Sequence, residues 1–146
     1  MGEASVQDLF RRAIADSDSA AMRQGLERLL GITDGGGVDA EEEYQLRTPD
    51  FVLDMPQSGE RIRGRDAMRA MQRAFPTPPQ SLAIRRVVGA ERTWVLEGQI
   101  DYGQGPWSVV LVMELNGDGL IARETRLYAE HSEPPAWRAE WVEPLE

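Results

Sequence analysis

Apolar positions recur at helical spacing up to about residue 75 and alternate with a period of two from Leu82 onward, so helices are expected first and strands later. Ser5-Val6-Gln7-Asp8 is a helix start, a capping-box variant with Asp where Glu is usual. Val6, Leu9, Phe10, Ala13 and Ile14 then share one stripe of a helix ending near Asp16. Asp18 or Ser19 opens a second helix carrying Met22, Leu26, Leu29 and Leu30, with Gly25 as a mild internal cost. "TDGGGVD" (33–39) breaks the pattern and lacks the Gly-Lys-Ser/Thr ending of a phosphate loop, which discards that reading. "AEEEYQL" predicts a short helix, with Glu41, Glu42 and Glu43 on a solvated face. After Pro49, "FVLDMP" alternates like a strand, and "QSGERIRG" reads as a turn and a short returning strand. Gly64-Arg65-Asp66 opens a third long helix with Ala67, Met68, Met71, Ala74 and Phe75 as its buried stripe, stopped by "PTPP".

In the second half, turn signals at "VGAER", "YGQGP" and "NGDG" divide four long antiparallel strands, at about 81–89, 92–102, 107–115 and 120–130. That order gives an α+β protein with helices on one side of a strongly curved antiparallel sheet, in a single domain spanning the 146 residues. The tail "EPPAWRAEWVEPLE" carries Trp137 and Trp141, whose aromatic area predicts docking on the chain's own domain or on a second subunit.

Strand 107–115 is apolar on both faces over most of its length and calls for cover on both sides. Its neighbours each carry one polar face: Thr93, Val95, Glu97, Gln99 and Asp101 on one, Glu124, Arg126, Tyr128 and Glu130 on the other. Either those faces meet water, as alternating charge on a half-exposed sheet usually does, or the sheet curls so that Glu97, Gln99, Asp101, Glu124 and Arg126 reach into a cavity.

Composition narrows the classes. A chain of 146 residues with 41% hydrophobic and 28% charged residues can bury a core without staples. A net charge of −9 repels phosphate backbones and anionic membranes, so no nucleic acid and no membrane is expected as partner. All 16 basic residues are arginine, which suits bidentate pairing with carboxylates. Without cysteine there is no disulfide or thiolate site, and the one histidine, His131, stands alone at a strand end, so no metal and no cofactor is expected. With no leader pattern at the amino end and no long apolar run, the expected location is cytoplasmic.

The segments "FVLDMPQSGERIRGRDAM", "RTWVLEGQIDYGQGPWSVVLVMELNGDGLIARETRLYAE" and "PPAWRAEWVE", together covering about residues 40–143, resemble the SnoaL-like branch of the nuclear transport factor two-like (ketosteroid isomerase-like) superfamily. The resemblance implies a cone-shaped curved sheet packed against N-terminal helices, a pocket between them that takes a small hydrophobic molecule, and a homodimer formed through the sheet. Its members include polyketide cyclases, ketosteroid isomerases, dehydratases, epoxide hydrolases and proteins with no known activity, so chemistry has to be argued from residues. Where the cyclases carry an acid/base aspartate on the last strand, this chain has Arg126, which cannot act as a base. Where limonene-type epoxide hydrolases carry an Asp-Arg-Asp set, it has Asp101, Gln99 and Arg126.

The expected enzyme is cofactor-independent and works by general acid/base chemistry. Asp101 or Glu97 removes a proton beside a substrate carbonyl, Arg126 stabilises the developing oxyanion, and Tyr128, Gln99 and Glu124 help bind the substrate. Trp107, Val109, Val95, Met68, Met71 and Phe75 are the expected apolar walls. Two rivals stay open: a non-catalytic ligand binder, and a dimeric interaction module in which Asp101 and Arg126 form only a structural ion pair.

Overall fold

A computed structural model describes residues 4–31, 37–75 and 81–145. Of the "TDGGGVD" break at 33–39, residues 33–36 fall outside them, and "PTPP" at 76–79 also falls outside. Three helices come first: α1 (Val6–Asp16), α2 (Ser19–Leu29) and α3 (Ala40–Gln45). Side chains start each of them, the Ser5 hydroxyl accepting from Asp8 N, the Asp18 carboxylate from Ala21 N, and Asp39 from Glu42 N. Gly25 has a packing reason: a Cβ there would stand 2.7 Å from the Phe10 ring, so the glycine lets α1 and α2 close on each other.

Strands β1 (Arg47–Met55) and β2 (Glu60–Arg63) precede α4 (Arg65–Ala74), and β3 (Ser81–Ala90), β4 (Thr93–Asp101), β5 (Pro106–Leu115) and β6 (Ile121–Glu130) follow, before a 3₁₀ turn at Ala136–Trp141. The six strands form one curved, unclosed sheet in the order β2-β1-β6-β5-β4-β3, with β1 and β6 parallel and the other pairs antiparallel. β1 begins earlier than expected and includes Pro49, which is tolerated because the β1–β6 register shifts between Arg47 and Val52 and leaves no ladder donor to supply there.

The bends have local causes. Arg85 is an extra residue in β3 between the pairs Ile84–Gly98 and Arg86–Glu97, and Gly98 lets the Ala83 carbonyl approach to where a Cβ would stand 2.5 Å from it. Ala122 is extra in β6, between Leu115–Ile121 and Glu114–Arg123. The inner face of the sheet meets the helices: Phe51, Leu53, Trp94, Leu96, Leu111, Met113 and Ile121 join Val6, Leu9, Phe10, Met22 and Leu26 in one core.

Three expectations need correction. Of the α4 stripe only Met68 is buried; Met71 is half-buried, Ala67 and Ala74 are exposed and Phe75 is 48% exposed, because α4 rests on β1 and β2 along one edge only. Of the two docking places expected for Trp137 and Trp141, their own domain is not the one used, since they are 75% and 74% exposed on it. The acidic run is only partly a solvated face, since Glu41 pairs with Arg69, and Glu43 holds Arg47 and Gln72.

Candidate functional site

Direct strand partners share a face, so the ladder decides which polar residues meet. On the inner face, successive rungs read Leu53–Glu124–Met113–Trp94, then Arg126–Leu111–Leu96–Val87, then Tyr128–Val109–Gly98–Ile84, then Glu130–Trp107–Ile100–Leu82. On the outer face they read Thr125–Val112–Val95–Val88, Leu127–Val110–Glu97–Arg86 and Ala129–Ser108–Gln99–Ala83. Glu124, Arg126 and Tyr128 therefore face the helices, with Trp107, Val109 and the α4 residue Met68 on the same side of the sheet.

Glu97, Gln99 and Asp101 do not join them. Glu97 lies on the outer face, paired with Arg86 at 2.6 Å; Gln99 is exposed; and Asp101 caps its own hairpin by accepting from Gly103 N at 2.6 Å. The expected Asp101–Arg126 pair is not formed, and Val95 is an outer-face residue rather than an inner wall. The physical reason is parity. The extra residue Ala122 shifts β6 by one position, so the even residues of β6, instead of the odd ones, come to the inner face with the even residues of β4.

Glu124 is 1% exposed, and both Nε and Nη2 of Arg126 donate to its Oε2, at 2.9 and 2.6 Å. Every other ion pair among the described strands joins two strands: Arg61 and Arg123 to Asp54, Arg123 to Glu114, Arg86 to Glu97. The Glu124–Arg126 pair links residues two apart on one strand and so cross-links nothing. Arg47, which is almost fully buried, differs again, since it ties β1 to Glu43 of α3 and stacks over the Phe51 ring at 5.3 Å.

Exposure rises along β6, from Glu124 through the Arg126 side chain at 21% and the half-buried Tyr128 to Glu130 at the exposed end. Burial alone would pull the Arg126 pKa down; Glu124 first and Tyr128 second outweigh it, and the guanidinium titrates above its ordinary value. Tyr102, in the turn just after β4, is a residue that the sequence pattern does not single out. Burial raises its pKa, Tyr128 raises it further and Arg126 pulls it back, which sets the three groups in one neighbourhood. Its ring meets Phe75 at 5.9 Å, joining the end of α4 to the β4–β5 hairpin. The signal for Tyr102 was its even spacing from Trp94, hidden because it belongs to the turn "YGQGP". Beyond Trp107, at the exposed end of the face, Gln104, Gly105, Pro106, Glu130 and His131 complete a surface hollow of about 430 Å³.

No described helix is long and apolar enough to cross a membrane. Arg126, Tyr128 and Tyr102 together supply hydrogen-bond donors beside apolar side chains, an arrangement that can hold an acceptor oxygen.

Comparison with known proteins agrees with this architecture. Residues 6–124 match the model of the SnoaL-like domain, a match that reaches further toward the amino end than the resemblance read from sequence and stops at Glu124. An NTF-2 like protein of unknown function from Burkholderia xenovorans LB400 is similar at 30% identity and a TM-score of 0.70, covering 85% of this chain and 94% of that one. A protein from Kribbella flavida DSM 17836, provisionally named a ketosteroid isomerase, is 23% identical with a TM-score of 0.68, covering 97% and 90%. A steroid delta-isomerase from Pseudomonas aeruginosa is 18% identical with a TM-score of 0.61, covering 77% and 80%, a likeness of fold. No curated protein matches the chain. Matching that model over most of its length, with the helices and curved sheet described above, the chain belongs to the SnoaL-like domain family.

Proposed function

We propose that the inner face of the sheet takes a small hydrophobic molecule bearing a carbonyl oxygen, and that the chain is a cofactor-independent acid/base enzyme of the isomerase or cyclase type. The observation that carries this reading is the Glu124–Arg126 pair. Burying a carboxylate costs on the order of several kcal/mol in desolvation, partly offset by attraction to its partner, and a pair that ties no two elements together returns no cross-link for that cost. What it does is fix a guanidinium, still 21% exposed, among Leu111, Val109 and two tyrosines. The substrate oxygen accepts from Arg126 and a tyrosine hydroxyl. Glu124, whose Oε1 accepts no hydrogen bond among the described residues, takes a proton from the carbon beside the carbonyl, and the charge that moves onto the oxygen is held by Arg126.

A non-catalytic binder is the second reading. It is favoured by the near-complete burial of Glu124 and the engagement of its other oxygen, which restrain it as a base. Exchange of ketone α-protons for deuterium, followed by proton NMR in D₂O, separates the two. Under the enzyme reading the protein accelerates exchange, Glu124→Gln abolishes it while ketone binding persists, and Arg126→Met weakens binding at least tenfold. Asp101→Asn changes neither, since Asp101 serves its own hairpin. Binding without any accelerated exchange supports the carrier; no binding at all removes both.

The outer face supports the proposal of a homodimer. Val88 and Leu127 are 43% and 42% exposed there, with Val95, Val110 and Val112 half-buried between them, and the Arg86–Glu97 pair puts both charge signs at the edge of the patch, which suits a twofold contact.

A further inference from the structure

We infer that Glu124 sets the charge preference of this site, so that it accepts neutral carbonyl compounds and rejects their carboxylate counterparts; the inference rests on the inner-face binding proposed above. A lone arginine among apolar side chains and tyrosine donors would be an anion site, and its best ligand would be a carboxylate held by both ends of the guanidinium fork. Here the fork is occupied. Nε and Nη2 both donate to the Oε2 atom of Glu124, and the carboxylate lies almost wholly buried on the rung below, between Leu53 and Met113. The inner face therefore presents donors without net positive charge. A carbonyl oxygen gains hydrogen bonds there and loses little hydration. A carboxylate gives up far more hydration, meets Glu124 through a medium of low dielectric, and approaches a chain whose net charge is −9.

The pair is not needed to hold the sheet together, since it spans one strand, whereas Asp54, Glu97 and Glu114 serve pairs that cross between strands. Its retention inside the core is accounted for by what it does to the arginine. Glu124 is in this respect a positioning residue: it acts through Arg126, holding the guanidinium along β6 and cancelling its charge.

The test is calorimetric titration of the full chain at neutral pH with 2-acetylnaphthalene and 2-naphthoate, which share a ring system and differ at the reporter group by a methyl against a charged oxygen. The wild-type protein is expected to bind the ketone at least roughly tenfold tighter than the carboxylate. Glu124→Gln keeps the shape and frees the charge of Arg126, so naphthoate binding tightens by about tenfold or more while ketone binding shifts by less than about threefold. Glu124→Asp, which keeps the charge, retains the wild-type order. A merely structural role for Glu124 would weaken both ligands together and could not invert their ratio. Ketone binding that persists in Glu124→Gln with no gain for naphthoate overturns the inference and leaves the binding proposal standing. A wild-type protein that prefers naphthoate overturns it as well, and one that binds neither ligand removes the binding proposal and the inference with it. Should Glu124→Gln fail to fold, the ratio in the wild type and in Glu124→Asp decides alone, tighter naphthoate binding in either being contrary.

Discussion

Two tyrosines flank Arg126, and they differ in what can be measured of them. Tyr102 is half-buried beside Phe75 and lies near Tyr128, so its hydroxyl keeps its proton above the ordinary tyrosine range, and Tyr102 stays a donor at any physiological pH. A folded-state pKa raised above the unfolded one contributes stability that is complete below about pH 10 and is lost as the pH climbs through the folded value. Ultraviolet titration of the three tyrosines should therefore show one late step, absent in Tyr102→Phe. A single unshifted step for all three would contradict the neighbourhood assigned to Tyr102. At this scale the sequence displayed the residue types and hid their company. Glu124, Arg126 and Tyr128 are legible as one face of a strand, but the equally regular alternation of Glu97, Gln99 and Asp101 points to the same cavity, and these residues face the other way.

Elements were legible where one rule of local chemistry governs them. The caps at Ser5 and Asp18 start α1 and α2 where expected, and the turn signals bound β3 to β6 within a residue or two. Face assignment was not, because β5 is apolar on both sides and carries no parity information, and because a single bulge at Ala122 reverses the phase of β6. Nothing in "GLIARET" announces that bulge. Deletion of Ala122 tests its role: it joins the pairs Leu115–Ile121 and Glu114–Arg123 directly, so Glu124, Arg126 and Tyr128 keep the inner face and only the local bend is lost. The deletion variant is expected to keep a cooperative thermal transition by circular dichroism, whereas one alanine inserted after Arg123, which carries Leu127 inward and turns Glu124 and Arg126 outward, is expected to abolish it. The reverse pair of results would contradict the register described for β6.

At the scale of the whole molecule, the described residues leave apolar surface on the outer face around Val88 and Leu127 and on the tail carrying Trp137, Trp141 and Leu145, besides Phe75 at the end of α4. The expectation that β5 be covered on both sides is unmet within one chain, and a second copy seated on the outer face would meet it. Leu127→Glu is then predicted to convert a dimer to a monomer in light scattering after size exclusion, with the fold intact; an unchanged mass would place any self-association elsewhere. The central claim concerns the other face. A crystal structure of the protein with 2-acetylnaphthalene bound tests it most directly. The account predicts the ketone on the inner face, its oxygen about 3 Å from an Arg126 nitrogen and its ring among Val109, Trp107 and Tyr128. Ligand held on the outer face beside Glu97 and Gln99, or an oxygen turned away from Arg126, would contradict it.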